Sequence, residues 1–160
     1  MGMKHTLSVL VENKPGVLAR VAELFARRGF NIESLAVGTT EKPDISRMTI
    51  VVDVAEHSLE QVRKQLHKLI NVIEIVDLDP EASVAREMVM VKVRADTSNR
   101  SEIIEITDIF RGNIVDVSRE SIIVEVTGNA SKLSAFEDLV KPYGIKELVR
   151  TGKVALPRGR

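Results

Sequence analysis

The sequence contains no cysteine and no tryptophan, and only five of its 160 residues are aromatic. The lack of cysteine excludes disulfides, thiolate zinc sites and cysteine nucleophiles. The scarcity of aromatic rings argues against a nucleic-acid surface, which needs stacking platforms and a basic groove. The balance of 23 Lys and Arg against 23 Asp and Glu gives no net positive charge for such a surface. We therefore expect no nucleic-acid partner.

Long apolar runs are also missing, since none approaches the roughly 18–20 residues that a membrane helix needs. The first residues, MGMKH, lack the hydrophobic stretch of a signal peptide. Hydrophobic residues nevertheless make up 44% of the chain, enough to form a packed core. These features predict a soluble, cytoplasmic protein without a membrane partner.

The pattern of apolar residues occurs twice along the chain. In each half a strand is followed by a helix, a hairpin of two strands, a second helix and a last strand. The predicted strands are 6–11, 31–39, 46–54 and 72–77 in the first half, and 88–95, 113–117, 121–127 and 145–151 in the second. Two β-α-β-β-α-β units predict an α+β protein with two ferredoxin-like domains, each an antiparallel sheet with its helices on one face.

Four helices are predicted from apolar residues that recur every three or four positions. The first follows Pro15, which is expected in its first turn. The second is expected to begin with a capping box of Ser58 and Gln61. The core-facing helical residues are predicted to be Leu18, Val21, Phe25, Leu59, Val62, Leu66 and Leu69, followed in the second half by Ile103, Ile106, Phe110, Leu133, Phe136 and Val140.

The segment 79–83, DPEAS, interrupts the pattern and predicts a linker between a domain at 1–78 and a second at 84–160. A domain of this size buries only about 60% of its unfolded surface and is marginally stable alone. Helices on a single face also leave one sheet face and a sheet edge uncovered, and an open edge can pair with another chain. We therefore expect at least a homodimer, joined through residues 31–39.

Few residues suggest catalysis. The histidines are not spaced as metal ligands or as part of a Ser-His-Asp set, and the nine glycines form no phosphate-binding loop. The expectation is therefore no catalytic residue and no metal site. The histidines, predicted to be solvated at the surface, are His5, His57 and His67.

Charged residues on the helices mostly indicate a solvated surface. Glu60 and Lys64 are spaced as an exposed i,i+4 ion pair. Arg27 and Arg28 lie at a predicted helix C-terminus, where cations are stabilised by the helix dipole. An acidic or nucleotide ligand at this arginine pair is the open alternative.

The loop between the first strand and the first helix suggests a ligand. Gly16 allows close approach to the backbone, and the helix that follows offers free N–H groups to a carboxylate. Val17 and Leu18 could line an aliphatic pocket, and the Asn13 amide could accept from an ammonium group. Together these features suit a small amino acid. The alternative is that Asn13 and Pro15 serve only to start the helix.

Several strings in the sequence resemble a known family. Residues 10–18, LVENKPGVL, and 29–35, GFNIESL, resemble the ACT domain, a small module that senses amino acids. Further strings are SRMTI at 46–50, KQLHKL at 64–69, RE at 86–87, IFRGNIVDV at 109–117 and EVTG at 125–128. Together they resemble the small regulatory subunit family of acetolactate (acetohydroxyacid) synthase.

The resemblance implies a non-catalytic chain that binds the large catalytic subunit, raises its activity and makes it responsive to a branched-chain amino acid, usually valine. No cofactor is then expected in this chain, and thiamine diphosphate, Mg²⁺ and FAD are expected only in the catalytic partner. The sequence agrees, because it lacks the Gly-Asp-Gly…Asn-Asn type of string that holds Mg²⁺ and diphosphate in thiamine-diphosphate enzymes.

The resemblance also implies an effector site where two ACT domains meet in a homodimer or higher oligomer. Residues 1–78 would bind the effector and dimerise, while 84–160 would contribute to assembly or full activation. The implied site consists of Asn13, Lys14, Pro15, Gly16, Val17 and Leu18 from one chain, with Asn31 and Ile32 from its partner.

Two other functions remain open at this stage. A free-standing tandem-ACT amino-acid sensor would share the loop but act on a different target. A small ferredoxin-like phosphatase of acyl phosphates would need a phosphate-binding loop with an arginine, where this chain has Lys14, Pro15 and Gly16. Which branched-chain amino acid is preferred is also open, because one methylene is worth only about 1–3 kcal/mol in an apolar pocket.

Overall fold

The fold is described from a computed structural model that covers residues 3–159, leaving aside the side chains of residues 56 and 57. The chain divides into two compact units. The first consists of the chain up to Val84 together with the segment that starts at Lys153, and the second is Ala85–Gly152.

The first unit has the predicted order of elements. Its strands pair antiparallel in the sheet order β2-β3-β1-β4. The elements are β1 (Met3–Glu12), α1 (Val17–Arg27), β2 (Ile32–Thr39), β3 (Ile45–Val54), α2 (Glu56–His67) and β4 (Val72–Leu78). This is a ferredoxin-like β-α-β-β-α-β arrangement, with β2 and β4 at the sheet edges.

The core of the first unit is built on the alternation of β1. Leu7, Val9 and Val11 are each at most 1% exposed, and they belong to the same buried cluster as Val21 and Phe25 of α1. The sequence predicts that Leu18 also lies in this core, but its side chain is 44% exposed. The prediction is wrong because the buried stripe of α1 begins at Val17 and continues at the i+4, i+7 and i+8 positions.

The starts of both helices in the first unit differ from the prediction. Pro15 lies before α1, and the N-cap is Gly16, whose backbone is left-handed with φ 85°. Helix α2 begins at Glu56 with Ala55 as N-cap. Ser58 cannot cap α2, because it is already inside the first turn and donates its N–H to the Ala55 carbonyl at 3.0 Å.

The second unit repeats the arrangement. Its strands have the order β6-β7-β5-β8 and pair antiparallel. The elements are β5 (Ser83–Arg94), α3 (Arg100–Ile109), β6 (Asn113–Val117), β7 (Ser121–Gly128), α4 (Ala130–Val140) and β8 (Ile145–Arg150). Phe110 and Phe136 meet edge to face in its core, with ring centroids 5.5 Å apart. The predicted fold class, α+β with two ferredoxin-like sheets, is confirmed.

The C-terminal segment is placed differently from the sequence expectation, which assigns all of 84–160 to one domain. A last short strand, β9 (Val154–Pro157), lies in this segment, which groups with the first unit. The Lys153 N–H donates to Ser34 Oγ at 2.9 Å, and the Arg158 N–H donates to the Ala82 carbonyl at 2.7 Å. A stretch of four residues with ordinary alternation gives no sequence signal for its pairing partner, so the boundary was not predictable.

The predicted linker at 79–83 is ordered by local hydrogen bonds. Residues Pro80–Ala82 form one turn of 3-10 helix, and the Asp79 carboxylate caps it by accepting from the Glu81 N–H at 3.0 Å. Ser83 already begins β5. Among the described helices, none combines the length and apolar character that crossing a membrane would require.

We predict that Gly112→Ala destabilises the protein. A Cβ at this position would lie 2.8 Å from Val126 Cγ2 and 2.9 Å from the Glu125 carbonyl oxygen, and the backbone oxygen cannot move without disturbing β7. Overpacking of this kind costs about 1–3 kcal/mol in free energy of unfolding. Chemical denaturation measures it, with Gly159→Ala as control because no atom lies within 4 Å of its Cβ position. Equal midpoints for the two variants would contradict the prediction.

Candidate functional site

The loop between β1 and α1 is held in place by its backbone and by one amide. The Asn13 N–H donates to the Asp44 carbonyl at 2.8 Å, and Asn13 Nδ2 donates to the Pro43 carbonyl at 3.1 Å. Asn13 therefore fixes the loop against the turn between β2 and β3. Because its amide nitrogen is engaged in this contact, its side-chain oxygen is the atom left to accept from a ligand.

An ion pair flanks the same loop. Lys14 Nζ lies 2.7 Å from Glu12 Oε2. The hydrogen bond and the positive charge of Lys14 lower the pKa of the Glu12 carboxyl below its ordinary value. The charge of Lys14 is thus matched within the chain, so the anion-binding capacity of the loop depends on its backbone more than on this ammonium group.

Asn71 connects the loop to α1 and β4, and sequence reasoning missed it. It is only 8% exposed. Its carbonyl accepts from the Glu12 N–H at 2.9 Å, and its Oδ1 accepts from the Arg20 guanidinium at 2.5 Å. An asparagine before a strand gives the pattern of any turn residue, so no sequence signal distinguished it. Through these bonds Asn71 fixes the direction in which α1 leaves the loop.

The first turn of α1 is open at its N-terminus. The helix has no side-chain cap, and in the described part of the chain the N–H groups of Leu18 and Ala19 have no hydrogen-bond acceptor. No atom lies within 4 Å of the position that a Cβ of Gly16 would occupy. Free N–H groups and the positive end of the helix dipole favour a carboxylate at this place. The exposed Leu18 side chain provides an apolar contact beside it.

Two of the predicted site residues direct their side chains elsewhere. Val17 is 4% exposed and packs in the core, so it does not line an open pocket, contrary to the expectation from the sequence. Ile32 is half-buried against the same core. Asn31 is exposed and immediately precedes β2. Val17 begins the buried stripe of α1, and Ile32 begins β2 against the same core.

The structure separates the predicted residues into two groups at opposite ends of α1. Residues 13–18 lie at its N-terminus, and Asn31 follows its C-terminus after Gly29, whose φ is 72°. The 11 residues of α1 span about 16 Å. One small amino acid cannot contact both groups within a single chain.

The histidines do not form a metal or catalytic cluster in the residues that the structure describes. His67 is exposed, as predicted, and the side chain of His57 lies outside the described residues. His5 contradicts the prediction of a solvated histidine: its side chain is 11% exposed, and its Nδ1 lies 3.9 Å from Asp77 Oδ1. The alternation of β1 places His5 on the same side of the sheet as Leu7.

Comparison with known proteins identifies both units. Residues 7–74 match the model for the AHAS small subunit-like ACT domain, and residues 86–159 match the model for the small subunit of acetolactate synthase. The "Probable acetolactate synthase small subunit" of Archaeoglobus fulgidus is 63% identical over 98% of each chain. The acetolactate synthase small subunit of Mycobacterium bovis is 61% identical over 97% of this chain and 92% of its own length.

A solved structure supports the same assignment. The crystal structure of the acetolactate synthase small subunit from Thermotoga maritima superposes with a TM-score of 0.93, at 47% identity and 99% coverage of both chains. The similarity therefore extends over both ferredoxin-like units and not only over the ACT domain. The chain belongs to the acetolactate synthase small-subunit family: it is a regulatory subunit, and the catalytic activity of the synthase lies in the large subunit.

Proposed function

We propose that this chain activates the thiamine-diphosphate-dependent large subunit of acetolactate synthase and makes it responsive to a branched-chain amino acid, with valine as the expected effector. The observation that carries the proposal is the match of both units to small-subunit models, at residues 7–74 and 86–159. Thiamine diphosphate, Mg²⁺ and FAD would be held by the large subunit, and the complex would work in the cytoplasm.

The proposed effector site uses the open N-terminus of α1 for the carboxylate of the amino acid. The unpartnered N–H groups of Leu18 and Ala19 support this role, and the absence of a side chain at Gly16 leaves room for close approach. The half-exposed Leu18 would contact the aliphatic side chain. Asn13 Oδ1 is the acceptor for the ammonium group, because the amide nitrogen of Asn13 already binds Pro43.

The remaining residues of the loop would act through its shape. Pro15 and Lys14 lead the chain into the left-handed Gly16, and Val17 anchors the first turn of α1 in the core. In this proposal Val17 contributes its backbone and not a pocket wall. The side chain of Ile32 would likewise support the fold of the partner, leaving Asn31 as the polar contact.

A homodimer is proposed because the two groups of site residues cannot meet in one chain. The length of α1 separates them, while a second copy paired through β2 would bring its Asn31 toward the loop of the first. Strand β2 lies at the sheet edge, and its Val37 is 45% exposed. An uncovered edge with an apolar residue is a surface that a second strand can pair with. Residues 31–39 are therefore the proposed dimer edge.

We expect the isolated chain to turn over no pyruvate, to raise the activity of a purified large subunit, and to confer inhibition by at least one of valine, leucine and isoleucine. The measurement is acetolactate formation by the large subunit with and without this chain, at increasing concentrations of each amino acid. Unchanged activity of the large subunit would refute the proposal. Binding of an amino acid without any effect on the synthase would favour a free-standing sensor.

Gly16→Asp is expected to weaken valine binding by more than about tenfold while activation of the large subunit is retained. Two like charges about 4 Å apart repel by roughly 4 kcal/mol at an effective dielectric near 20, and half of that suffices for the loss. Gly16 has φ 85°, which strains any side chain, so Gly16→Asn is the matched control. Asparagine and aspartate tolerate this conformation similarly and differ in charge. Calorimetric valine titrations that give equal losses for both variants would show that strain, not charge, is responsible.

A site shared between chains should be restored by mixing two defective chains. Gly16→Asp damages the loop and Asn31→Ala damages the contact from the partner, so each homodimer is expected to lose valine binding. A dual-tagged heterodimer of the two variants keeps one undamaged site, and calorimetry should find about half the wild-type stoichiometry. A heterodimer that binds no valine would place both residues in the same chain's site, against the proposed dimer.

A further inference from the structure

A groove lined by positive and amide side chains lies between α1 and α2 in the first unit. Its volume is about 560 Å³. Arg28 directly follows α1, and the other lining residues lie from the middle of α2 to its C-terminal end or, for Lys68, directly after it. We call it the α1–α2 groove, and its lining residues are Arg28, Gln61, Lys64, Gln65, His67 and Lys68.

Among the side chains that the structure describes, the cations of this groove have no carboxylate partner, whereas neighbouring cations do. Arg27 Nε lies 4.0 Å from Glu23 Oε1, and Arg63 Nη1 lies 3.4 Å from Glu60 Oε1. The sequence predicts that Glu60 pairs with Lys64, but Arg63 takes that carboxylate instead. Among the described side chains, no carboxylate lies within 4 Å of the cations that line the groove. Ion pairs with carboxylates therefore occur beside the groove but, among the described side chains, not within it.

Helix stability does not explain the whole cluster. One cation at each helix C-terminus is stabilised by the helix dipole, which accounts for Arg28 and Lys68. Lys64 and Lys68 are four residues apart on one helix face, and like charges at this spacing destabilise a helix. His67 adds a further positive charge when its imidazole is protonated. The chain has zero net charge overall, yet positive side chains without a described carboxylate partner cluster along the groove.

We propose that the α1–α2 groove is a docking surface for an acidic segment of the large catalytic subunit. This inference rests on the proposed function and adds the surface through which it would operate. Its charge is complementary to a partner with several exposed carboxylates, and complementary charge on two surfaces raises association rates and fixes register. The exposed ammonium groups of Lys64 and Lys68 can each meet a separate carboxylate.

A protein surface suits the groove better than a small anion does. A compact anion is favoured by the N–H groups of a helix N-terminus, and five of the six lining residues lie from the middle of α2 to its C-terminal end or directly follow it, where the free backbone groups are carbonyls. Its lining residues include no Phe, Tyr or Trp and no aliphatic side chain, so a nucleoside base would find only the imidazole of His67 to stack on. The other basic stretch of the chain, at 146–160, is less available because Arg150 pairs with Glu137 and Glu87, and Lys153 lies against Thr6.

The test compares two double charge reversals on the same two helices. Lys64→Glu with Lys68→Glu changes the groove, and Arg27→Glu with Arg63→Glu gives the same change in net charge outside it. Binding of the full-length chain to the purified large subunit is measured by biolayer interferometry at several salt concentrations, and activation is measured separately. Thermal unfolding checks that each variant folds, and Lys64→Arg with Lys68→Arg should behave as wild type.

We expect the groove variant to bind the large subunit at least about tenfold more weakly and to lose most of the salt dependence of binding, while the control changes little. Equal losses in both variants, or no loss in either, would overturn the groove as the docking surface. Saturable calorimetric binding of inorganic phosphate by wild type but not by the groove variant would make it a small-anion site instead. If wild type binds without activating, the proposed function fails, and the binding data still decide the groove.

Discussion

The fully buried row of Leu7, Val9 and Val11 on β1 positions the rest of the first unit. Strand β1 is paired on both sides, with β3 and β4, so its register aligns these two strands directly, and β2 is aligned through β3. The side chains of this row are at most 1% exposed, and α1 and α2 both pack on the face of the sheet that carries them. Because the row ends at Val11, the chain must turn into α1 immediately afterwards, and the loop of the proposed effector site is placed by this turn.

The same arrangement underlies the proposal that the effector site is shared between two chains. A helix that covers the sheet from one end to the other carries its two termini far apart, so the residues before and after α1 cannot share a small ligand. The sheet order leaves β2 at an edge, with its backbone groups directed away from β3 unpaired. If the effector binds between two chains as proposed, ligand binding is coupled to assembly, since the complete site exists only where both chains are present.

Two polar features of the first unit serve different purposes. Asn71 is buried, and its two oxygens accept hydrogen bonds from Glu12 and from Arg20, which makes it a support for the loop. The α1–α2 groove differs from Asn71, because its cations are exposed and no carboxylate among the described side chains lies within 4 Å of them. Engaged buried polar groups fix a conformation, whereas unmatched surface charge is available to another molecule.

Much of this architecture is determined by the sequence alone. Strand alternation and helical stripes predict both β-α-β-β-α-β units, because a period of two or of 3.6 residues is local and needs no tertiary information. Strings such as LVENKPGVL and IFRGNIVDV identify the family, and they also single out the loop at residues 13–18. Helix starts were less predictable. Pro15 has the residue type of a first turn but lies two positions before α1, and Ser58 has the residue type of an N-cap but lies inside the first turn of α2.

Tertiary structure decided what depends on residues distant in sequence. The low exposure of His5, the burial of Val17 and the role of Asn71 follow from packing that no local pattern encodes. The grouping of residues 153–159 with the first unit is of the same kind, because a strand of four residues finds its partner only once that partner is folded. The sequence by itself determined the elements and the family, and the three-dimensional contacts determined which side chains remain free to bind.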